Sequence, residues 1–210
     1  KICMVKSMQV FKPASEGWLG KYKDNTFENY QLNEYNKALS YVKTKRTAID
    51  VGANLGIMSY RMCRDFKHVH AIEPLFAQYI KPNVKADNIT IHEVAVGETE
   101  KTVAMRVGQY HSGGSNIVEY ASDITQTYNR NVKCITIDSL NIKDVDFMKI
   151  DVEHYEWFTL QGAEETIKSH HPILMMEVKN DNPYRNQILK FMENHGYEYE
   201  PIGEMDFVFK

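Results

Sequence analysis

Short apolar runs alternate with longer segments of helical periodicity along most of the chain. Apolar runs of about five to eight residues predict buried strands, whereas apolar residues three or four positions apart predict amphipathic helices. Buried strands are predicted over residues 46–51, 68–72, 89–96, 145–150 and 172–178. The predicted helices cover residues 28–42, 55–65, 76–86, 155–169 and 183–194, and Pro82 either interrupts the third helix or marks its end.

The order of these elements predicts the fold class. Strands that alternate with helices form a parallel sheet covered on both faces. Two short strands at 197–200 and 205–209 close the chain as an antiparallel hairpin, and strands at 101–107 and 132–137 flank a polar loop in an insertion at about 101–137. The prediction is an α/β protein with a doubly wound, mainly parallel sheet of about seven strands and a C-terminal antiparallel hairpin.

Two parts of the chain are expected to differ in role. Residues 47–210 form one α/β domain, because 210 residues with 43% apolar residues suffice for one well-buried core. Residues 1–46 hold an aromatic segment, with Trp18 and Tyr22, followed by the first helix. Aromatic rings suit the C–H faces of a sugar, so this segment is predicted to cover an acceptor site. The alternative is that the rings only pack the segment onto the domain.

Composition and charge argue against several classes of function. A net charge of −3 without a basic stripe disfavours nucleic-acid binding. No stretch approaches the roughly 18 consecutive apolar residues of a membrane span, and no secretory leader is visible. Three widely spaced cysteines indicate reduced thiols, so we expect a cytoplasmic protein. Because the chain begins with Lys1, we expect a processed chain or part of a longer, multidomain protein.

The stretch TAIDVGANLGIMSY predicts a strand, a turn with two glycines and a helix, which together form a cradle for a nucleotide-like ligand. Gly52 lets the backbone turn and approach a ligand closely. Amides at the following helix N-terminus favour a carboxylate or phosphate. Glu73 follows about 20 positions later at the end of the next strand, where an acidic side chain accepts hydrogen bonds from ribose hydroxyls.

Two ribose-containing ligands, NAD and S-adenosylmethionine, are candidates for this cradle. A dinucleotide turn favours G-x-G-x-x-G, with glycine at the second position so that the pyrophosphate can approach. Here that position is Asn54, which carries a side chain. A smaller ligand that ends in an amino acid needs no such approach. The turn therefore favours S-adenosylmethionine.

Several motifs follow one another between residues 47 and 178, namely IDVGANLG, AIEP, HEVAVGE, ITIDSL, FMKIDVEHYE, LQGAEETI and PILMMEV. In order and spacing they resemble the FkbM family of S-adenosylmethionine-dependent methyltransferases. The resemblance implies a class I methyltransferase (Rossmann-like) fold that transfers a methyl group to a hydroxyl oxygen of a sugar or a hydroxylated natural product. Residues 1–46 and 179–210 lie outside the resemblance.

The same resemblance implies which residues bind the cofactor. The loop on the methionine side comprises Asp50, Gly52, Ala53, Asn54 and Gly56. Glu73 binds the ribose and Pro74 shapes its turn, while the adenine is flanked by Glu93, Val94 and Ala95. The stretch HSGGSN is similar to a small-residue stretch of the family and would form part of the active-site mouth, although a plain flexible loop explains it almost equally well.

Methyl transfer to a hydroxyl requires a base, because a sugar hydroxyl is a poor nucleophile until its proton is being removed. His154 is the predicted base, since an unperturbed histidine has a pKa of about 6.5. Asp151 or Glu153 would hold the acceptor or orient the imidazole. The spacing from Asp151 to His154 is similar to that of metal-dependent small-molecule O-methyltransferases. However, FkbM members usually have glycine where His154 stands.

A divalent metal is an open alternative. Asp151 and Glu177 lie at or near the ends of two predicted strands, and two carboxylates in one crevice suit a hard cation that orients and acidifies the acceptor hydroxyl. The same carboxylates equally suit ion pairs with Lys149 and Lys179.

The predicted function is therefore S-adenosylmethionine-dependent O-methylation of a saccharide hydroxyl in a glycan or glycosylated metabolite, with a deoxyhexose as one acceptor to consider. The first alternative acceptor is the hydroxyl of a non-sugar metabolite or lipid. Two further alternatives are a nicotinamide-dependent oxidoreductase, disfavoured by Asn54, and a non-catalytic binding module, disfavoured by the polar row Asp151, Glu153 and His154.

Overall fold

The computed structural model describes residues 29–107, 115–117 and 128–210. The strands in these ranges are β1 (Thr47–Val51), β2 (His68–Ile72), β3 (Ile89–His92), β4 (Ala95–Val96), β5 (Lys101–Val107), β6 (Asn116–Ile117), β7 (Tyr128–Ile135), β8 (Val145–Ile150), β9 (Ile173–Glu177), β10 (Tyr199–Pro201) and β11 (Asp206–Phe209). The helices are α1 (Leu32–Leu39), α2 (Ile57–Asp65), α3 (Ala77–Val84), α4 (Glu156–Gln161), α5 (Glu164–His170) and α6 (Arg185–Asn194). The aromatic stretch with Trp18 and Tyr22, and residues 111–114 of the HSGGSN motif, lie outside the described residues.

The main sheet has seven strands in the order β10-β11-β9-β8-β1-β2-β3. The five strands from β9 to β3 in this order are parallel, whereas β11 runs antiparallel to both β9 and β10. The predicted α/β class is therefore confirmed, including the mainly parallel sheet and the C-terminal antiparallel hairpin. All five residues of the central strand β1 are buried, as expected for a strand covered on both faces.

A second, four-stranded sheet contains the insertion, in the order β4-β7-β5-β6. The predicted third strand, 89–96, is wrong in its second half. It ends at His92, and after the exposed Glu93 the chain crosses to the second sheet, where β4 lies parallel to β7. β5 and β7 form the predicted hairpin. Hydrophobic alternation does not reveal a bend at which a strand changes partners, so the sequence favoured one continuous strand.

Two predicted helices also need correction. The segment 155–169 forms two helices, α4 and α5, with Gly162 between them. A Cβ atom at Gly162 would lie 1.9 Å from the carbonyl oxygen of Gly97, so the chain after β4 approaches this point too closely for any side chain. The predicted helix 28–42 is shorter, because Gln31 adopts a left-handed φ of 47° immediately before α1. Pro82 lies within α3, two residues before its end.

Apolar side chains pack on both faces of the main sheet. On one face, Tyr35 of α1 meets Phe147 of β8 edge-on, with 5.9 Å between ring centroids, and Phe66 stacks on the same Phe147 ring. On the other face, the core contains Leu160 of α4 and Ile167 of α5. Among the described helices, none combines the length and apolarity needed to cross a bilayer. Packing on both faces fixes the strand ends at which the candidate site lies.

Candidate functional site

A cavity of about 460 Å³ lies at the carboxyl ends of β1, β2, β8 and β9. Ligands of open α/β sheets bind at this edge. The residues lining it that the sequence assigned to a site are Gly52, Ala53, Asn54, Glu73, Pro74, Val94, Ala95, Asp151, Glu153 and Glu177, together with Tyr30 and Ser115 of the two stretches expected at its mouth. The sequence assigned no site role to several other lining residues, among them Leu75, Phe76, Met105, Ile117, Tyr155 and Met205. These come from neighbouring elements that meet only in the folded chain.

The loop after β1 has the tight backbone that its glycines predict. Gly52 has a φ of 78°, and a Cβ atom there would lie 1.9 Å from the carbonyl oxygen of Asp151. The loop after β1 and the loop after β8 therefore touch through their backbones. Asn54 has a φ of 50°, a left-handed conformation that asparagine tolerates better than most residues.

Two residues assigned to the cofactor loop have structural contacts and do not line the cavity. Asp50 is fully buried and accepts a hydrogen bond of 2.5 Å from Ser59 Oγ, which ties β1 to α2. Its burial raises the pKa of its carboxyl, and the neighbouring Lys149 opposes that rise. A Cβ atom at Gly56 would lie 3.0 Å from Val84 Cγ2, so Gly56 lets α2 approach α3.

Glu73 lies at the cavity wall and holds two loops in place. Its Oε1 accepts hydrogen bonds from the amides of Leu75 at 2.7 Å and Phe76 at 3.1 Å, and its Oε2 accepts one from Asn54 at 2.8 Å. Burial raises the pKa of the Glu73 carboxyl, and these three amides oppose the rise. Because a carboxylate has about four acceptor positions, Glu73 can still accept a hydrogen bond from a ligand hydroxyl.

One residue of the expected adenine side, Glu93, does not line the cavity. Val94 and Ala95 line the cavity together with Leu75 and Phe76, and these four give it an apolar wall. Glu93 instead lies on the surface, where its carboxylate is 3.5 Å from Arg130 Nη2. Glu93 lies outside the cavity because the predicted third strand is split at this point and the backbone turns between the two sheets.

Three carboxylates and two lysines form a charged cluster in the cavity wall. Asp151, Glu153 and Glu177 each place a carboxylate oxygen within 4.8 Å of the others. Lys149 Nζ lies 3.0 Å from Asp151 Oδ2, while Lys179 Nζ lies 3.3 Å from Glu177 Oε2 and also pairs with Glu153. The ion pairs that the sequence offered as the alternative to a metal are thus present.

Burial and the charges in this cluster alter the pKa values of its carboxyl groups. Burial, together with the charges of Asp151 and Glu153, raises the pKa of Glu177 to about 6, although Lys179 opposes the rise. The pKa of Glu153 is also raised, mainly by burial. A carboxylate with a pKa near 6 is ionised at neutral pH and is still basic enough to accept a proton.

His154, the predicted base, lies beside the cavity. The described part of the cavity wall includes Asp151, Glu153 and Tyr155 but not His154. His154 has a φ of 74°, and its amide donates a hydrogen bond of 3.2 Å to Glu156 Oε1. Burial and the charge of Lys179 lower the pKa of its imidazole. The left-handed backbone explains why glycine suits this position, since only glycine adopts such a φ without steric cost.

Comparison with known proteins gives the relationships of the chain. Residues 50–199 match the sequence profile of the Methyltransferase FkbM domain. The crystal structure of Methyltransferase FkbM from Methylobacillus flagellatus KT superposes with a TM-score of 0.58 at 18% identity, over 79% of this chain and 44% of that protein. Precorrin 8w decarboxylase of Methanobacterium thermoautotrophicum has a TM-score of 0.50 at 11% identity, over 85% and 87% of the two chains. No curated protein matches the chain in sequence.

The structural similarities and the profile match support different conclusions. At such low identities, the two structural similarities show the fold, which is the class I methyltransferase fold. The profile match covers well over half of the chain and shows the family. The chain spans less than half the length of the Methylobacillus protein.

Proposed function

The chain belongs to the FkbM family of methyltransferases, and we propose that it transfers the methyl group of S-adenosylmethionine to a hydroxyl oxygen of a saccharide. The observation that carries the proposal is the cavity itself, whose wall contains Glu73 and the Gly52 loop together with the cluster of Asp151, Glu153 and Glu177. A site for a nucleoside and a site for proton removal therefore share one space.

The residues present fit S-adenosylmethionine. Glu73 provides a carboxylate for the ribose hydroxyls, and the apolar wall of Leu75, Phe76 and Val94 suits a purine. The positive φ at Gly52 and the 1.9 Å separation that a Cβ atom there would have from Asp151 keep the loop free of a side chain. The small loop residues leave room for the amino-acid end of the cofactor.

The cofactor supplies an electrophilic methyl group on a sulfonium, and the chain's task is to bind the acceptor and take its proton. We assign proton removal to the carboxylates of the cavity, with Glu177 first, because its pKa of about 6 suits a base at neutral pH. Lys149 holds Asp151 in place, and Lys179 holds Glu153. His154 is the alternative base, and direct comparison of the two variants distinguishes them.

A saccharide acceptor suits the remaining wall. Tyr30 and Tyr155 both line the cavity. Burial, together with the charges of Asp151 and Glu177, raises the pKa of the Tyr30 hydroxyl, which places this ring near those carboxylates. Aromatic faces contact the C–H faces of a sugar, while carboxylates accept hydrogen bonds from its hydroxyls. The hydroxyl of a non-sugar metabolite or lipid remains the second candidate, since the same base would serve it.

The test is methyl transfer from labelled S-adenosylmethionine to a panel of hexose and deoxyhexose glycosides, with product analysis by mass spectrometry and NMR. Label on a sugar oxygen supports the proposal. Label only on non-sugar hydroxyls moves the acceptor to the second candidate. Calorimetric binding of NAD in place of S-adenosylmethionine would contradict the methyltransferase assignment of the cavity.

Glu73→Gln is expected to weaken binding of S-adenosylmethionine by about 1–3 kcal/mol, because hydrogen bonds to a charged acceptor are the stronger kind. The variant keeps one acceptor oxygen for the amides of Leu75 and Phe76, but its NH₂ group then faces the amide of Asn54. Circular dichroism therefore first checks that the variant is folded. Isothermal titration calorimetry measures the change. Glu165→Gln, an exposed change on α5, is the control. Equal affinity of the two folded variants would remove Glu73 from the ribose site.

Exhaustive chelation with EDTA is expected to leave the methyl-transfer rate unchanged. Lys149 and Lys179 already place positive charge beside Asp151, Glu153 and Glu177, so a cation is not needed to neutralise them. The measurement is the initial rate before and after chelation and gel filtration. A rate that collapses and returns with Mg²⁺ would show instead that the carboxylates ligate a metal.

A further inference from the structure

Glu156, the first residue of α4, is a buried carboxylate that takes no part in the proton removal described above. It is only 2% exposed, and it is not among the described residues that line the cavity. A carboxylate is seldom buried unless hydrogen bonds satisfy its oxygens. Its hydrogen-bond partners therefore show which parts of the chain it holds together.

The partners of Glu156 come from two different loops. Its Oε1 accepts hydrogen bonds from the amides of Val152 at 3.4 Å and His154 at 3.2 Å, both in the loop after β8. Its Oε2 accepts one of 2.7 Å from Asn182 Nδ2, in the segment between β9 and α6. One buried carboxylate thus connects the segments that follow two neighbouring strands.

The side chain of Asn182 is itself fixed in one orientation. Asn182 is 5% exposed, and its Oδ1 accepts a hydrogen bond of 2.9 Å from the amide of Tyr184. Its backbone amide donates one of 3.1 Å to the carbonyl oxygen of Lys179. Because Oδ1 already has a donor, the NH₂ group is the end that faces Glu156.

The loop that Glu156 holds has an unfavourable backbone. Glu153 has a φ of 50° and His154 a φ of 74°, so two consecutive residues with side chains are left-handed. Such a conformation persists where the surrounding structure holds it. The two amides bound by Glu156 lie on either side of Glu153. Glu156 therefore fixes the turn that carries Glu153 and, directly before it, Asp151.

We propose that Glu156 is a positioning residue, which acts with Asn182 to fix the carboxylates of Asp151 and Glu153 relative to Glu177. The inference rests on the proposed function for the role of these carboxylates. When a reacting group is displaced by about 1 Å, the rate can fall by about 100-fold. A buried hydrogen-bonded link between the two loops limits such displacement.

A second link between the same loops is weaker. Glu153 pairs with Lys179, but both side chains are partly exposed to solvent. Exposed ion pairs contribute little, whereas a buried group that loses its partner is left with the full cost of desolvation. The buried pair of Glu156 and Asn182 is therefore the one on which the loop geometry depends.

The charge state of Glu156 sets the conditions of the test. Burial, to which the charge of Asp151 adds, raises the pKa of its carboxyl to about 8, while the hydrogen bond from the Val152 amide opposes the rise. All three partners are donors, so the hydrogen bonds are those of an ionised carboxylate. Rates are therefore compared at about pH 9, one unit above this pKa.

Glu156→Gln and Asn182→Asp test the proposal singly and together. The first change places an NH₂ group opposite a donor, and the second places two carboxylates opposite each other. In the double variant the new amide donates to the new carboxylate, whose other oxygen still accepts from the Tyr184 amide. This arrangement restores the link with its polarity reversed.

Each single variant is expected to lower kcat by about 10- to 100-fold, with the acceptor KM and the affinity for S-adenosylmethionine changed less than about threefold. The double variant should regain at least about tenfold over the slower single variant, because the two positions are in contact and their effects do not add. Additive losses would overturn the proposal.

Asp138→Asn is the matched control for a purely structural role. Asp138 Oδ1 accepts a hydrogen bond of 2.8 Å from the Thr166 amide in α5, and Asp138 is not among the described residues of the cavity wall. The variant should unfold at lower denaturant concentration and keep its kcat. An equal loss of kcat in this variant would show that Glu156 acts only through stability, which would overturn the proposal.

Hydrogen exchange tests the link without an acceptor and without a change at Glu156. In Asn182→Ala, the His154 amide should exchange at least about threefold faster than in the unchanged protein, although the altered residue lies in the other loop. Unchanged exchange would refute the link between the loops. This result is separate from the proposed function, which fails only when the unchanged protein transfers no methyl group to any acceptor.

Discussion

Glu177→Gln is expected to lower kcat by about 10²- to 10⁴-fold with little change in the affinity for S-adenosylmethionine. Glutamine keeps the size of the side chain but cannot accept the proton of the acceptor hydroxyl. The pKa of Glu177 is raised to about 6, so the rate of the unchanged enzyme should rise with pH through that value as the carboxylate loses its proton. Single-turnover rates of both proteins between about pH 5 and 8 measure the loss of rate and its pH dependence.

His154→Gly is the matched comparison for this experiment. At a φ of 74°, glycine removes the imidazole and relieves backbone strain of about 1–2 kcal/mol, so the variant should fold and keep most of its activity. If His154 were the base, this variant would lose the 10²- to 10⁴-fold instead, and Glu177→Gln would keep its rate. The two variants thus give opposite results under the two assignments.

Gly52→Ala is expected to destabilise the protein by about 2–5 kcal/mol and to abolish measurable cofactor binding. The added methyl group would lie 1.9 Å from the carbonyl oxygen of Asp151, a backbone atom that cannot rotate away, at a φ of 78° that disfavours any side chain. The loops after β1 and β8 must then separate, and the cradle between them opens. Chemical denaturation and titration calorimetry measure the two losses.

Gly196→Ala separates the steric contact from the backbone strain. Gly196 has a similar φ of 82°, but the nearest atom to an added Cβ is His171 Nε2 at 3.8 Å, which is an ordinary contact. Its alanine variant should lose only about 1–2 kcal/mol and should bind the cofactor normally. Equal effects at both positions would show that the contact with Asp151 has no special importance.

Local sequence signals were sufficient where one short segment determines the structure. The strand HVHAI was predicted with the bounds that β2 has, because Lys67 and the Glu73-Pro74 turn delimit its apolar residues. The tight loop at Gly52 was predicted from its glycines. The position of Glu73 at the cavity was predicted from its spacing along the chain after Gly52. Ligand sites at strand ends are predictable in this sense because parallel strands end at one edge.

Features that depend on contacts between distant segments could not be predicted from the sequence. Gly162 interrupts a helical pattern because of Gly97, which is remote in the chain. Glu93 leaves the expected adenine side because the strand before it changes sheets. For His154, a suitable unperturbed pKa favoured the role of base, whereas the left-handed backbone that aims its ring beside the cavity depends on the fold. Met205 reaches the cavity from the turn between β10 and β11, which the sequence did not connect with the site.

The separate sheet that carries the insertion limits how changes in hairpin length can reshape the cavity. Met105 and Ile117 form a pair between β5 and β6 and reach the cavity from that sheet. Successive strand residues face opposite sides, so inserting or deleting one residue in β5 before Met105 would point that side chain away from the cavity. A change of two residues restores its direction. We therefore expect insertions and deletions in this hairpin to occur two residues at a time. A library of variants whose hairpin differs in length by two residues should contain more active members than a library whose hairpin differs by one.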